Sequence, residues 1–97
     1  MTRDEIIAKL KETAPALRAK GVTRLAIFGS RARGDSREDS DLDVLIDVDD
    51  AKFEGLDIVR VQDIVRRATG LETQAEMRRS IEPRFAKRIA DDLIEVF

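Results

Sequence analysis

A chain of 97 residues is one domain at most, and a domain of this size buries roughly 60–65% of the surface its unfolded chain exposes. Hydrophobic residues make up 42% and charged residues 39%, with a formal net charge of −2. This is a globular composition, and it lacks the basic excess that non-specific nucleic-acid binding needs. With neither cysteine nor histidine, disulfides, thiolate or imidazole metal sites and Cys– or Ser–His catalysis are excluded; any metal must be held by oxygen, which points to a hard cation such as magnesium.

In chain order, Thr2-Arg-Asp-Glu5 has the form of a capping box, and Ile6, Leu10, Ala14 and Leu17 continue an apolar stripe. Pro15 kinks this helix or starts a second turn near Thr13, and Gly21 ends it. Val22–Phe28 is a short strand, followed by the Gly29-Ser30 turn. Ser30 is placed as the cap of a helical turn across Arg31–Arg33, closed by Gly34, and residues 35–40 (DSREDS) form a polar loop. Asp41–Val48 (DLDVLIDV) is the clearest strand: Leu42, Val44, Ile46 and Val48 share one face, Asp41, Asp43, Leu45 and Asp47 the other. Leu56–Ala68 reads as an amphipathic helix with Leu56, Val59 or Ile58, Ile64, Val65 and Ala68 inward and Gly70 as its stop. Glu72–Met77 is a weak third strand. A last helix opens at Ser80 or Ile81, with Ile81, Phe85, Ile89 and Leu93 as its core positions, and Val96 and Phe97 are candidates for a partner contact. The order predicts a small sheet with helices packed on it, an α/β or α+β domain spanning 1–97. No internal repeat appears, no apolar run approaches the ~18–20 residues of a membrane span, and no signal peptide precedes the domain; a cytoplasmic protein is expected.

Two positions carry the chemistry. Asp41 and Asp43 sit roughly 6–7 Å apart along one face of a strand, where like charges repel unless water reaches both or a cation lies between them. Either the strand entry is solvated or it holds a divalent ion. Gly29-Ser30 follows a strand and precedes a helical turn; it is either a plain turn or one that offers backbone amides and a hydroxyl to an anion. Arg31 and Arg33 either neutralise phosphate or pair with Asp35, Glu38 and Asp39. Asp47, near the far end of its strand, reads as a surface residue.

The combination is more specific than its parts. LAIFGSRARGDSREDSDLDVLIDV resembles the minimal nucleotidyltransferases of bacteria and archaea, small domains of the DNA polymerase beta-type nucleotidyltransferase superfamily, and the likeness runs from Val22 to the EPRF…LIEVF ending. The resemblance implies a short mixed sheet flanked by helices. It implies that Gly29, Ser30, Arg31 and Arg33 bind the triphosphate of a nucleotide, most commonly ATP. It further implies that Asp41 and Asp43 are catalytic and coordinate Mg2+, and that AMP is transferred with pyrophosphate leaving. Many relatives are encoded beside a HEPN-domain protein, and some are antitoxins that adenylylate that partner.

The pattern breaks at one place. The family supplies a third carboxylate from a later strand, and aligning back from EPRF puts that position at Gln74, a poorer magnesium ligand. Glu72 and Glu76 share its face in a regular strand, as substitutes or as solvated charges. Two functions follow as expectations: a magnesium-dependent adenylyltransferase acting on a HEPN partner, or a weakened nucleotide-binding domain that neutralises its partner by binding alone.

Overall fold

The computed structural model describes every residue from Met1 to Phe97. Thr2 opens α1 (Arg3–Glu12) with the expected capping box: its hydroxyl accepts from the Glu5 amide (3.2 Å) and the Glu5 carboxylate accepts from the Thr2 amide (3.1 Å). Two otherwise unsatisfied amides are thereby paired. Pro15 restarts the chain as α2 (Ala14–Ala19), lying in its first turn, where a missing N–H leaves no hydrogen bond unmade.

Four strands form one mixed sheet: β1 (Val22–Phe28), β2 (Leu42–Val48), β3 (Thr73–Met77) and β4 (Ile94–Glu95). Their spatial order is β3-β2-β1-β4, with β1 antiparallel to both β2 and β4, and β2 parallel to β3. Three further helices complete the fold, α3 (Gly29–Arg33), α4 (Asp57–Thr69) and α5 (Pro83–Ile89). β1 has the bounds expected of it, and β2 begins one residue late, leaving Asp41 just ahead of the strand.

The strand period of two divides the core between the faces of the sheet. Leu25 and Ile27 of β1 and Leu42, Val44 and Ile46 of β2 pack with Ile6 and Leu10 of α1, Leu17 of α2, and Val61 and Val65 of α4. On the opposite face Ala26, Phe28 and Leu45 meet Ile89 of α5, with Ile81, Phe85 and Leu93 packed around them. Phe28 and Phe85 meet edge to face, ring centroids 5.8 Å apart. This smaller cluster covers the middle of its face and leaves both ends to polar residues.

Four expectations are corrected. Ser30 makes no capping bond; α3 starts at Gly29 with Phe28 before it in extended conformation. In α4 the buried line is Val61, Val65 and Thr69, spaced by four, while Leu56 (74% exposed) and Val59 (58%) face outward. Val59 lies two residues, or about 200°, around the helix from Val61, and Leu56 precedes the helix altogether. The last helix starts at Pro83 and not at 80–81, after a 3-10 turn at Arg78–Ser80. A residue before proline is disfavoured in helical conformation, and Glu82 is extended (φ −69°, ψ 149°). Finally, Val96 and Phe97 belong to the protein's own sheet edge: Leu25 donates to the Phe97 carbonyl (3.0 Å) and accepts from the Val96 amide (2.8 Å). The Arg18 guanidinium lies 5.2 Å from the centroid of the Phe97 ring.

Candidate functional site

Asp43 and Asp47 lie four residues apart on the same face of β2, with opposite surroundings. Asp47 is paired with Arg24 (3.7 Å) and Arg78 (2.9 Å), and the same two arginines reach Glu95 on β4. This ion network is the surface role expected of Asp47. Asp43, half-buried at the other end, forms no ion pair. Desolvation raises its carboxyl above the ordinary range, the charges of Asp41 and Glu76 add to the rise, and Arg33 opposes it from a distance. Asp43 thus carries its charge with two other carboxylates in electrostatic reach and one opposing arginine, a setting that favours a nearby cation.

The turn after β1 is built against this carboxylate. Phe28 is the cross-strand partner of Asp43, so the next residue, Gly29, passes over the aspartate. Gly29 has φ +76°, and a β-carbon there would lie 2.4 Å from Asp43 Oδ2 and 3.4 Å from Cγ. Only glycine satisfies both the left-handed backbone and the close approach. Ser30, next in the chain, accepts on its carbonyl from the amides of Gly34 (2.9 Å) and Asp35 (3.2 Å), which closes α3 into a tight turn.

The two arginines of α3 do different things. Arg31 is buried, 6% exposed, and its guanidinium donates to the Ser40 carbonyl (2.9 and 3.3 Å) and the Glu38 carbonyl (3.2 Å). It ties the 35–40 loop to α3 and fixes the residue immediately before Asp41. Arg33 is half-exposed and pairs with Asp35 (3.1 Å) and with Asp92 (2.9 Å) in the 3-10 turn after α5; the carboxylate hydrogen bonds raise its already high pKa. Sequence reasoning did not find Asp92, which is remote from Arg33 along the chain and carries no local motif.

Across the sheet, β3 pairs in parallel register with β2, Gln74 opposite Asp43 and Glu76 opposite Leu45. Gln74 therefore stands beside Asp43 on the same face, and Glu76 is the next residue of β3 on that face. Glu72 lies ahead of β3, its carbonyl accepting from the Leu42 amide (2.8 Å). No three acidic side chains converge as a preformed metal cage. Two carboxylates nonetheless fit magnesium, which binds through one or two carboxylates and completes its shell with water and substrate phosphate oxygens; Asp41 and Asp43 would hold it.

The protein-family model for the nucleotidyltransferase domain matches residues 5–96. A Methanocaldococcus jannaschii protein named as a protein adenylyltransferase is 34% identical over 86 residues, 89% of this chain and 91% of its own. The protein adenylyltransferase MntA of Thermococcus cleftensis is 29% identical over 97 residues, 99% of this chain and 97% of its own. A solved structure described as a minimal nucleotidyltransferase superposes with a TM-score of 0.82 at 28% identity, covering 97% of this chain and 95% of that one. The fold is also shared, with a TM-score of 0.71 at 11% identity and coverage of 99% and 72%, by a chain from the complex of a tri-AMPylated Shewanella oneidensis HEPN toxin with its MNT antitoxin. The sheet, the Gly29 turn and the paired aspartates are thus set in a shared framework: this chain belongs to the nucleotidyltransferase-domain family.

Proposed function

We propose that this chain is a magnesium-dependent adenylyltransferase that moves AMP from ATP onto a HEPN-domain toxin in the cytoplasm, acting as the antitoxin of that pair. The observation that carries this reading is the close approach of Gly29 to the unpaired Asp43 carboxylate. A glycine turn laid over such a carboxylate lets the backbone come close to whatever the carboxylate binds. The family gives the reaction class, and the names of the relatives suggest the acceptor.

In this reading Asp41 and Asp43 bind the metal, and Gly29 and Ser30 lie against the triphosphate. Arg33 contributes positive charge once it exchanges Asp92 for phosphate, and Arg31 keeps Asp41 in place through Ser40. Magnesium, when bound, neutralises phosphate charge and polarises the α-phosphate. An acceptor oxygen attacks the α-phosphorus as the bond to pyrophosphate breaks. The test is transfer of label from the α-phosphate of ATP to the HEPN-domain protein of the same genome, with Asp43→Asn as the control. Label that fails to reach a folded partner would sink the proposal.

A second reading has its own support. Gln74, directly beside Asp43, is neutral where the family pattern has a carboxylate, which favours a domain that binds nucleotide and silences its partner by binding alone. Inhibition that survives Asp41→Asn/Asp43→Asn would favour it over the enzyme.

A further inference from the structure

β3 is the outermost strand on its side of the sheet, with β2 along one edge and no strand along the other. The Leu42 amide donates to the Glu72 carbonyl (2.8 Å). The backbone groups of Glu72, Gln74 and Glu76 therefore turn toward β2, and those of Thr73, Ala75 and Met77 turn outward. One outward amide is occupied: Ala75 donates to Gln62 Oε1 of α4 (2.9 Å). An edge of this kind is a template for another strand. α4 borders the same edge, where Val59, Gln62, Asp63 and Arg66 line an open cavity of about 190 Å3 with Glu72 and Thr73. Val59 is 58% exposed and Leu56, one turn before it, 74%. Strand edge and helix flank thus form one surface with uncovered apolar area.

The charges of this surface fit a second copy of it. Outward-turned residues bond only to outward-turned residues, so a two-fold antiparallel pairing of two β3 strands must centre on one of them or on a residue between. Centred on Gln74, it would set Glu72 against Glu76; centred on Glu76, it would set that carboxylate against its own copy. Like charges directly opposite are destabilising. Centres at Thr73 or Met77 leave one strand residue of each chain paired. Centred on Ala75, Gln74 lies opposite Glu76, an amide donor against a carboxylate, and Thr73 lies opposite Met77. Just beyond the strand ends Glu72 approaches Arg78, again unlike. We propose that β3 and the adjoining flank of α4 dock a second copy of this chain about a two-fold axis at Ala75, joining two four-stranded sheets into one. In the dimer the Ala75 carbonyl of the copy replaces Gln62 as acceptor of the Ala75 amide, so Gln62 is a removable cover for the edge of the single chain. Gln62 also marks the level of Ala75 on α4. The same axis therefore brings Val59 of one helix beside Arg66 of the other, whose methylene stem shields it. The inference is independent of the reaction proposed above.

The test uses the full chain by itself. Sedimentation equilibrium on the wild type is expected to show the mass rising from one chain toward two with concentration. Val59→Asp, at an exposed position, should weaken the dimer by about tenfold or more with Tm unchanged. Gln62→Ala should tighten it by a factor of about two to ten, because the single chain then lacks an acceptor for the Ala75 amide. Register is read by cross-linking, and a chain without cysteine gives no background. In the proposed pairing Gln74 and Glu76 of the two copies face each other with Cα atoms about 4.5 Å apart, within disulfide reach. Two copies of either position lie about 8 Å apart, beyond that reach. A mixture of Gln74→Cys and Glu76→Cys chains should therefore form a disulfide dimer about tenfold faster than either variant alone. Cross-linking of either variant alone at the rate of the mixture overturns the assignment. A dimer weakened by Gln62→Ala overturns it too. A wild type that stays a single chain at every concentration also overturns it, and is the result given by an edge reserved for a strand of another protein.

Discussion

Gly29 and Asp43 are so close that a β-carbon on Gly29 would come within 2.4 Å of Asp43 Oδ2. The contact is with the tip of a side chain, so Gly29→Ala can be relieved by swinging the carboxylate away, at the expense of the proposed metal site. Gly34 is the internal control: its φ of +85° is also left-handed, but no atom lies within 4 Å of its missing β-carbon. Both alanine variants should lose about 1 kcal/mol from backbone strain, a fall in Tm of about 4–8 °C for a domain of this size. Only Gly29→Ala should also abolish magnesium-dependent ATP binding. Thermal melts and calorimetry on the two variants separate the effects.

Asp43→Asn should raise Tm at neutral pH in the absence of metal. The carboxyl is held above its ordinary range by desolvation, then by Asp41 and Glu76, so its ionised form opposes folding. That penalty is present above the folded pKa and disappears as pH falls through it; the variant's advantage should vanish in acid. Adding magnesium and ATP should reverse the order, since only the wild type gains binding energy. Asp57 and Asp63 behave in the opposite sense. The Glu54 amide and then Arg60 lower the Asp57 carboxyl, and Arg66 lowers that of Asp63. Their contribution is present at neutral pH and is lost as pH falls below about 4.

Arg31→Met should destabilise the fold by about 2 kcal/mol, the scale of losing hydrogen bonds from a charged donor to buried partners. Amide exchange should accelerate over residues 38–42, because the Ser40 and Glu38 carbonyls lose their donor. Arg31→Lys should recover little, since an ammonium cannot span two carbonyls as the planar fork does. Unchanged exchange in that loop would show that Ser40 is held without Arg31.

Arg33→Ala and Asp92→Asn should move triphosphate affinity in opposite directions. Arg33 is paired with both Asp35 and Asp92. Removing the arginine weakens binding, whereas neutralising Asp92 frees it and should tighten binding by up to about fivefold, equivalent to about 1 kcal/mol. Stability should change little in either variant, because the pair is partly solvated. Titration of inorganic triphosphate with magnesium measures the effect without a nucleoside.

Most of the sheet was legible from alternation alone. Val22–Phe28 and the Leu42–Val48 run are long enough for a period of two to declare itself, whereas the parallel register that sets Gln74 opposite Asp43 could not be read from the weak pattern of 72–77. Two-residue β4 was not legible, because Ile94 and Glu95 hold no pattern of their own and pair only when β1 is already in place. The spacing Ile81, Phe85, Ile89, Leu93 did mark one packed cluster, yet it suggested a longer helix than Pro83 permits. In the site, the type of each residue was readable, but of the partners only Asp35, offered for Arg33, was foreseen. Arg31 and Arg33 look alike in the sequence, but tertiary structure sends one to backbone carbonyls and the other to Asp92. The place of Asp47 near the far end of β2 set it apart from Asp43, but the arginines that match it, brought from β1 and the 3-10 turn, were not readable.

The pairing of Leu25 with Val96 and Phe97 sets an order of assembly. The strand that leads into the Gly29 turn is synthesised early, yet its outer edge stays open until residues 94–97 arrive to close it. A nascent or truncated chain lacking them presents the Leu25 amide and carbonyl as an unpaired strand edge beside buried apolar residues, a template for pairing with other chains. Ribosome stalling late in this message would therefore yield aggregation-prone fragments, with the Gly29 turn already made but the sheet beneath it unfinished.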